Sequence, residues 1–510
     1  MEIFSAEQIR NWDAYTIREE PVSSLDLMER AAAGCFSWLE KKGYLRHSFS
    51  IYCGKGNNGG DGLALARMLA ARQCSVTVFI LEFGHLGSED FQANLARLHQ
   101  TEVGIRFIQG EDNFPPIAPG AILVDAIYGS GLNRPLDGVV AELVAYLNQS
   151  GNEIIAIDLP SGIFADKSSK DHPSVKATHT LSFQCYKPAF LVAENETQVG
   201  ELHILDIGLH PGYLKEVKNE LELSALPLIR SIYRPRKSFA HKGSFGHALL
   251  VAGSYGKMGA ASLAARACLR SGVGLLSCHI PRCGYTIMQT TLPEAMILTD
   301  EQEQINTYVS GDLEKYSALG IGPGIGTEFG TRTMLEDLLR RYRKPVVLDA
   351  DGLNLLAQDT SLFSSLPPYS ILTPHPKEFE RLFGSAANDF ARLERAREAA
   401  REHQCVMVLK GHYTFIAMPG GKGYFNSTGN PGMAKGGSGD ILTGILTALL
   451  SQGYSAGEAA ILGVYLHGLA GDLAATALSQ EAMLASDLTD HLGKAFLSIA
   501  SPPPPPLRVH

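Results

Sequence analysis

The sequence predicts an α/β protein built from two tandem domains. Three observations lead there. Short apolar runs without alternation recur along the chain, separated by segments of helical spacing, which is the pattern of parallel sheets covered on both faces. Glycine-rich loops that open helices occur far apart, at Gly54–Gly62 and at Gly436–Gly444. The length, 510 residues, admits two to four domains at roughly 100–200 residues each.

Composition narrows the class. Hydrophobic residues make up 45% and charged residues 19%, so the chain is globular and not disordered. A net charge of −9 argues against nucleic acid as a partner. No run approaches the length of a membrane span, and Met1–Ser5 lacks the basic-then-apolar start of a signal peptide. The eight cysteines include no Cys-x-x-Cys pair and sit among apolar neighbours. A reduced, cytoplasmic protein with no membrane partner is expected.

In chain order, Ser5-Ala-Glu-Gln8 reads as a capping box opening a first helix, and a second runs from Ser24 to Lys42. Ser48–Cys53 is a strand, Gly54–Gly60 a loop, Asp61–Gln73 a helix and Ser75–Leu81 a strand. Ala121–Ile127, Glu153–Leu159, His179–Tyr186 and Glu201–Ile207 follow as strands. From Pro211 to Ser224 the pattern turns charged and strandless, so the joint is placed there: 1–215 form the first domain and 224–500 the second. Gly246–Ala252 restarts the alternation, with a helix over Gly259–Gly272. Strands follow at Leu275–Ile280, Ala318–Ile321, Pro345–Leu348, Ser370–Leu372 and Cys405–Leu409. Thr414–Phe425 reads as a hairpin turning at Pro419-Gly-Gly421, and Ser455-Ala-Gly-Glu458 caps a long helix. Pro502–Pro506, within a 501–510 tail, is a polyproline end.

Chemistry-bearing residues collect where strands end. Gly54-Lys-Gly-Asn-Asn-Gly-Gly-Asp-Gly62 fits the dinucleotide fingerprint, with Glu82 at about the distance of a ribose-binding acid. An NAD-dependent oxidoreductase is one reading. The extra polar groups Asn57, Asn58 and Asp61 suit a hard cation or a polar ligand instead. Asp125, before Gly129-Ser-Gly131, and Asp158, before Ser161-Gly162, end two further strands at the face where open α/β sheets bind ligands. Further along, Gly436, Gly437, Gly439 and Asp440 open an apolar helical run. Unpaired N–H groups and the helix dipole make that start an anion site, phosphate above all. Asp440 is repelled by such a ligand, a repulsion that becomes useful if Asp440 must strip a proton from a hydroxyl attacking it. The plain alternative is a first-turn helix acid. No Gly-Lys is followed by Ser or Thr, so a Walker phosphate loop is absent. His375, between two prolines, is equally a structural residue or a ligand contact.

The first three motifs, Cys53–Gly62, Asp125–Gly131 and Asp158–Gly162, resemble those of the NAD(P)HX epimerase family, which interconverts the R and S hydrates of NADH and NADPH. That resemblance implies a substrate site at Asn57, Asn58, Gly59, Gly60 and Asp61 and at Gly129, Ser130, Gly131, Leu132, Asn133, Arg134 and Pro135. It implies a potassium ion on Asn58, Asp125 and Ser161, with Asp158 touching substrate as acid/base. The second half is similar to the ribokinase-like fold and, more closely, to the ADP- or ATP-dependent NAD(P)HX dehydratase. The matching residues are His241-Lys-Gly243, Gly322-Pro-Gly324, Asp349–Asn354, Thr373–Pro376, Leu409–Gly411 with Thr414, and Asn430–Gly444. Lys410, Gly411, His412, Tyr413, Thr414 and Gly439 would bind the adenine nucleotide with Mg²⁺. Ala260, Gly322, His375 and Asp440 would contact the hydrate. Lys377, Lys435 and Ser438 depart from the family's usual residues, with Lys435 expected near the phosphates.

The resemblance covers nearly the whole chain and implies two activities in one polypeptide. Asp440 would deprotonate the C6 hydroxyl of S-NAD(P)HX, the oxygen would take a phosphate, and the ring nitrogen would expel it. The first domain would feed R into that step. NADHX, NADPHX and ADP or ATP are the partners implied, in a homo-oligomer. A vitamin-precursor kinase on the same second fold, an NAD-dependent oxidoreductase and a non-enzymatic binding module stand as alternatives.

Overall fold

The computed structural model describes residues 2–82 and 84–500; the proline run Pro502–Pro506 lies outside them. The described chain forms two compact units, dividing between Asn219 and Glu220, with Asn388–Phe390 grouped with the first unit.

The first unit holds seven strands: β1 (Phe49–Cys53), β2 (Val76–Leu81), β3 (Gly104–Ile108), β4 (Ile122–Ala126), β5 (Ile154–Ile157), β6 (His179–Phe183) and β7 (Glu201–Leu205). They form one parallel sheet in the order β3-β2-β1-β4-β5-β6-β7. Every residue of β4 and β5 is buried, as strands covered on both faces require. The chain reverses its direction of travel between β1 and β4, and the crevice for a ligand opens there, beyond their carboxyl ends. Ser5 and Ser23 each make the reciprocal capping box that starts the two N-terminal helices, Ala6–Glu19 and Ser24–Lys42.

Ten strands make the second sheet: β8 (Leu221–Ser224), β9 (His247–Val251), β10 (Leu275–Ile280), β11 (Met296–Thr299), β12 (Ala318–Ile321), β13 (Val346–Leu348), β14 (Ile371–Leu372), β15 (Val406–Leu409), β16 (Phe415–Ala417) and β17 (Gly423–Asn426). Their order is β11-β10-β9-β12-β13-β14-β15-β16-β17-β8. The β15–β16 and β16–β17 pairs are antiparallel and the rest parallel. Here the reversal falls between β9 and β12, which places the second crevice at Gly253 and Gly322. Helix Ser438–Ser451 lies on this sheet with Ile441, Leu442, Ile445, Leu446 and Leu449 all buried. Each such side chain contributes about 1.5–3 kcal/mol on leaving water, so this helix is locked to the sheet more firmly than its 14 residues could hold themselves.

Four expectations change. Residues 211–224 are not strandless: Leu221–Ser224 pairs with β17 at the sheet edge. Its Leu-Glu-Leu-Ser alternation is too short to stand out from the charged stretch around it. Strands β3 and β11, unread in the sequence, are edge strands with mostly exposed or half-exposed residues, so they lack the apolar run of their neighbours. The first glycine loop is shorter than Gly54–Gly60, because Asn57 already begins the helix, Asn57–Ala71. Finally, one helix does have membrane-span dimensions, Ala456–Leu478, at mean hydropathy 1.4. It is the core helix of the second unit, with Ala459, Leu462, Leu466, Ala470 and Ala474 fully buried.

Candidate active sites

At the first crevice Asp125 ends β4 fully buried. Its Oδ1 accepts from the Ser161 hydroxyl at 2.6 Å and from the Ile127 N–H at 3.2 Å; its Oδ2 accepts from the Ser161 N–H at 2.7 Å. Burial pushes its carboxyl up to about 6 and those hydrogen bonds offset part of the rise. Asp158 follows β5 in a left-handed backbone conformation, φ 66°. Its Oδ2 accepts from the Ser130 N–H at 2.7 Å, and its Oδ1 is 2.8 Å from the ammonium of Lys187, whose side chain is wholly buried. Burial raises the Asp158 carboxyl, but the adjacent Lys187 charge and the donated hydrogen bonds outweigh it and hold the group below its ordinary value.

Asn58 enters this site from the first turn of helix Asn57–Ala71. A Cβ added at Gly129 would meet Asp158 Oδ2 at 2.6 Å and Asn58 Oδ1 at 3.2 Å, so Gly129 keeps open the space that these two groups share. Both polar atoms of the Asn58 amide are buried without a hydrogen-bond partner. An orphaned amide is costly unless a ligand or ion meets it. Asp61 lies one turn on, its carboxyl pushed well up by burial first and then by Asp158, Asp13 and Asp90. Residues Gly131, Leu132, Asn133, Arg134 and Pro135 line a small neighbouring cavity of about 130 Å³ with Tyr128. Glu82, the acid an NAD ribose would need, is ion-paired with Lys55 at 2.5 Å.

Two members of this site escaped sequence reading. Lys187 follows β6 in Cys185-Tyr-Lys-Pro188, which matches no motif. Asp13 belongs to the first helix, yet it feels both Asp158 and Lys187. Burial, followed by the Asp158 charge, lifts its carboxyl to about 7 against the opposing pull of Lys187.

At the second crevice helix Ser438–Ser451 begins after Gly437, whose φ of 95° is the left-handed turn that aims the first N–H groups outward. A methyl on Gly439 would lie 3.4 Å from both Asp349 Oδ2 and Lys410 Nζ, so this helix start abuts that pair. Lys410 ends β15 and stands 2.8 Å from Asp349 Oδ1 and 3.8 Å from Glu378 Oε2. Burial lowers the Lys410 ammonium, but Asp349, Glu378 and Asp440 outweigh it and keep the group above its ordinary value. Thr443 donates to Asp349 Oδ2 at 2.8 Å. Asp440 is pushed up to about 6, by burial first and then by Asp349, with Lys410 opposing and Asp351 adding. Gly322, at φ 133°, backs directly onto the Asp349 carbonyl, where a Cβ would lie 1.8 Å away. Gly324 brings Ala260 to the same wall; its Cβ position is 3.1 Å from that of Ala260.

His375 is committed through Nδ1 to the N–H groups of Lys377 and Glu378, capping helix Pro376–Phe383. Its Nε2 lies 3.3 Å from Glu378 Oε1, on a side chain 44% exposed, so both ring nitrogens are engaged within the cap. Thr414 and Gly411 close a tight turn after Lys410 through the Thr414 hydroxyl, and the His412 and Tyr413 rings stack edge to face above it. Lys435 departs from the expected place. Its ammonium donates to the carbonyls of Glu481 and Met483, so it pins the loop and does not face the helix start. His467, unread in the sequence, accepts or donates at Ser438 and is held by burial at about 4, hence neutral.

The folds and strand-end carboxylates define a two-domain α/β enzyme, Rossmann-like in the first unit and ribokinase-like in the second. A family model described as YjeF-related protein N-terminus matches residues 24–189, and one described as NAD(P)H-hydrate dehydratase matches 248–494. The chain is 37% identical to the bifunctional NAD(P)H-hydrate repair enzyme Nnr of Moorella thermoacetica, over 96% of each chain. It is 32% identical to that of Thermofilum pendens, over 98% of this chain and 97% of the relative. A ribokinase-like superfamily protein from Enterococcus faecalis superposes on 56% of this chain and 99% of its own, at TM-score 0.50 and 26% identity. The chain belongs to the bifunctional NAD(P)H-hydrate repair enzyme family.

Proposed function

We propose that the first unit epimerises R- and S-NAD(P)HX and that the second dehydrates S-NAD(P)HX to NAD(P)H with ADP or ATP. The observation that carries the second assignment is Asp440, a carboxylate at a glycine-rich helix start with its proton affinity tuned to about 6. At neutral pH it is ionised yet basic enough to take a proton from a hydroxyl. The substrate's C6 oxygen then attacks the terminal phosphate, forming a C–O–P link and releasing AMP or ADP. Phosphate leaves C6 as the ring nitrogen's lone pair moves in to form an iminium, and loss of a proton from C5 then forms the C5=C6 double bond of the reduced ring. The helix-start N–H groups and Lys410 face the charge that develops on phosphate. Asp349, Asp351 and Asp440 form the acidic wall at which Mg²⁺ would accompany the nucleotide, screening phosphate charge.

In the first unit Asn58, Asp125 and Ser161 would hold potassium. The oxygen donors are of the right chemistry, and the orphaned Asn58 amide and the buried Asp125 carboxyl, which its three hydrogen bonds offset only in part, are groups that a cation would satisfy. The ion would supply a fixed positive charge beside the substrate. Asp158, kept ionised by Lys187, serves as proton acceptor or anchor, while Asp13 holds a proton near neutrality and supplies the acid.

The test is incubation of the mixed hydrates with ADP, following both epimers by chromatography and recovery at the reduced-nicotinamide absorbance. Both epimers should vanish together as NAD(P)H appears. A stable phosphorylated alcohol, with no NAD(P)H, would favour the kinase reading instead.

A further inference from the structure

At the opposite ends of strands β6 and β7 from the first crevice lies a second cluster of ligating side chains. His179 and Glu201 are paired across the two strands, and His203 stands two residues beyond Glu201 on the same face. His179 Nδ1 and His203 Nε2 are 3.2 Å apart. The two Glu201 oxygens stand 3.3 Å from His179 Nδ1 and 3.5 Å from His203 Nε2. Ligands held at about 2.0–2.1 Å in a tetrahedron are roughly 3.3–3.5 Å from one another. The two imidazole nitrogens, and the Glu201 oxygen nearest each of them, are therefore already spaced as ligands of one such ion.

The second nitrogen of His179 is also accounted for. Its Nε2 is 3.2 Å from Glu153 Oε1, and the Tyr44 hydroxyl donates to that same carboxylate oxygen. A carboxylate on the far side of a ligating imidazole fixes its tautomer and leaves the near nitrogen's lone pair free. The imidazole side chains are only 14% and 16% exposed, while Glu201 is 59% exposed and leaves the fourth position open to water. Trp38 roofs the cluster, its ring 5.1 Å from that of His179 and 4.7 Å from that of His203.

We infer that His179 Nδ1, His203 Nε2 and Glu201 bind a borderline divalent transition ion of the zinc class, with Glu153 and Tyr44 orienting His179. Two imidazoles and one carboxylate select such ions over magnesium or potassium. The site sits away from the carboxyl-end crevice and ties the edge strand β7 to β6.

The experiment uses the full chain, cleared of metal by chelator and titrated with Co²⁺ alone, without nucleotide. Wild type should take up one equivalent with a visible ligand-field band and quenching of Trp38 fluorescence. Trp38→Phe should lose the quenching and keep the band. Glu153→Gln should weaken binding by roughly 10–100-fold through the orienting contact. His203→Gln should abolish the band, and Glu201→Gln, at a side chain 59% exposed, should weaken it at least as much as Glu153→Gln. Zn²⁺ should raise the melting temperature of wild type and not of His203→Gln. No ligand-field band in wild type, or an unchanged band in both Glu201→Gln and His203→Gln, overturns the assignment.

Discussion

The two crevices use the same parts and give their acids opposite characters. Each has a glycine-rich helix start, a carboxylate past a strand end and a lysine. In the first, Lys187 touches Asp158 itself, at 2.8 Å, and the carboxyl is held down. In the second, Lys410 touches Asp349, also at 2.8 Å, and Asp440 is left with two like charges and its own burial, which push it up. Burial alone does not decide whether a site acid holds its proton. The lysine does, by choosing which carboxylate it contacts, and it leaves the other one as the tunable group. By the same logic Asp13, beyond Lys187's direct contact, is the tunable acid of the first crevice.

The comparison breaks most sharply at Asp440. Asp440→Asn keeps size and hydrogen bonding but cannot accept a proton, so S-hydrate repair should fall about 10²–10⁴-fold. R and S should continue to equilibrate while neither is consumed; near-normal consumption would return Asp440 to a helix-start acid. Lys187→Met comes next. It strands the Asp158 charge in the interior, and breaking a buried pair costs about 3–5 kcal/mol. Calorimetry should show the first unit's transition falling and the second's unmoved. Asp125→Ala should cost the epimerase at least roughly tenfold and remove any difference between potassium and sodium buffers. A persisting potassium dependence in that variant would move the ion elsewhere.

The pH dependence sharpens the contrast. Asp440 must be ionised to act, so dehydration should slow as pH falls through about 6, and this limb should disappear in Asp440→Asn. Epimerisation should show its own limb near 7, set by Asp13 and absent from Asp13→Asn. Asp158 behaves inversely. Its folded value is depressed, so its stabilising contribution is present above the ordinary carboxylate range and is lost only as acid titrates through the lower folded value. The smallest effect concerns the division itself. Pieces cut between Asn219 and Glu220 should each melt cooperatively within a few degrees of the full chain, whereas a cut at Ala225 removes β8 and should lower the second piece's transition. Failure of both pieces to fold would show the units to be interdependent.

The sequence made legible whatever is local. A strand or helix start, a glycine turn and a carboxylate close together in the chain reveal one another, so Asp125, Asp158 and Asp349 at strand ends and Asp440 at a helix start are legible. Lys187 and Asp13 were not, because nothing near them in the chain differs from an ordinary buried lysine or a helix acid. Only the pairing of β6 beside β5, and the docking of the first helix, brings them to Asp158. Lys435 was misplaced for the same reason: adjacency to Gly436 suggested phosphate, but its long side chain reaches the Glu481 and Met483 carbonyls. Edge strands were the other loss, since half-exposed residues carry little hydrophobic signal.

Strand β8 has a consequence in time. Its hydrogen-bonding partner β17 lies about 200 residues further along, with Glu222 opposite Tyr424. At synthesis rates of roughly 5–20 residues per second, β8 leaves the ribosome some 10–40 s before any partner exists for it. The first strand of the second sheet therefore waits for the last strand of that sheet to be made before it can take its place at the edge. Nascent chains halted before and after residue 430, probed by limited proteolysis near residue 222, should differ in cleavage. Equal protection in both would mean that β8 finds a temporary shelter elsewhere.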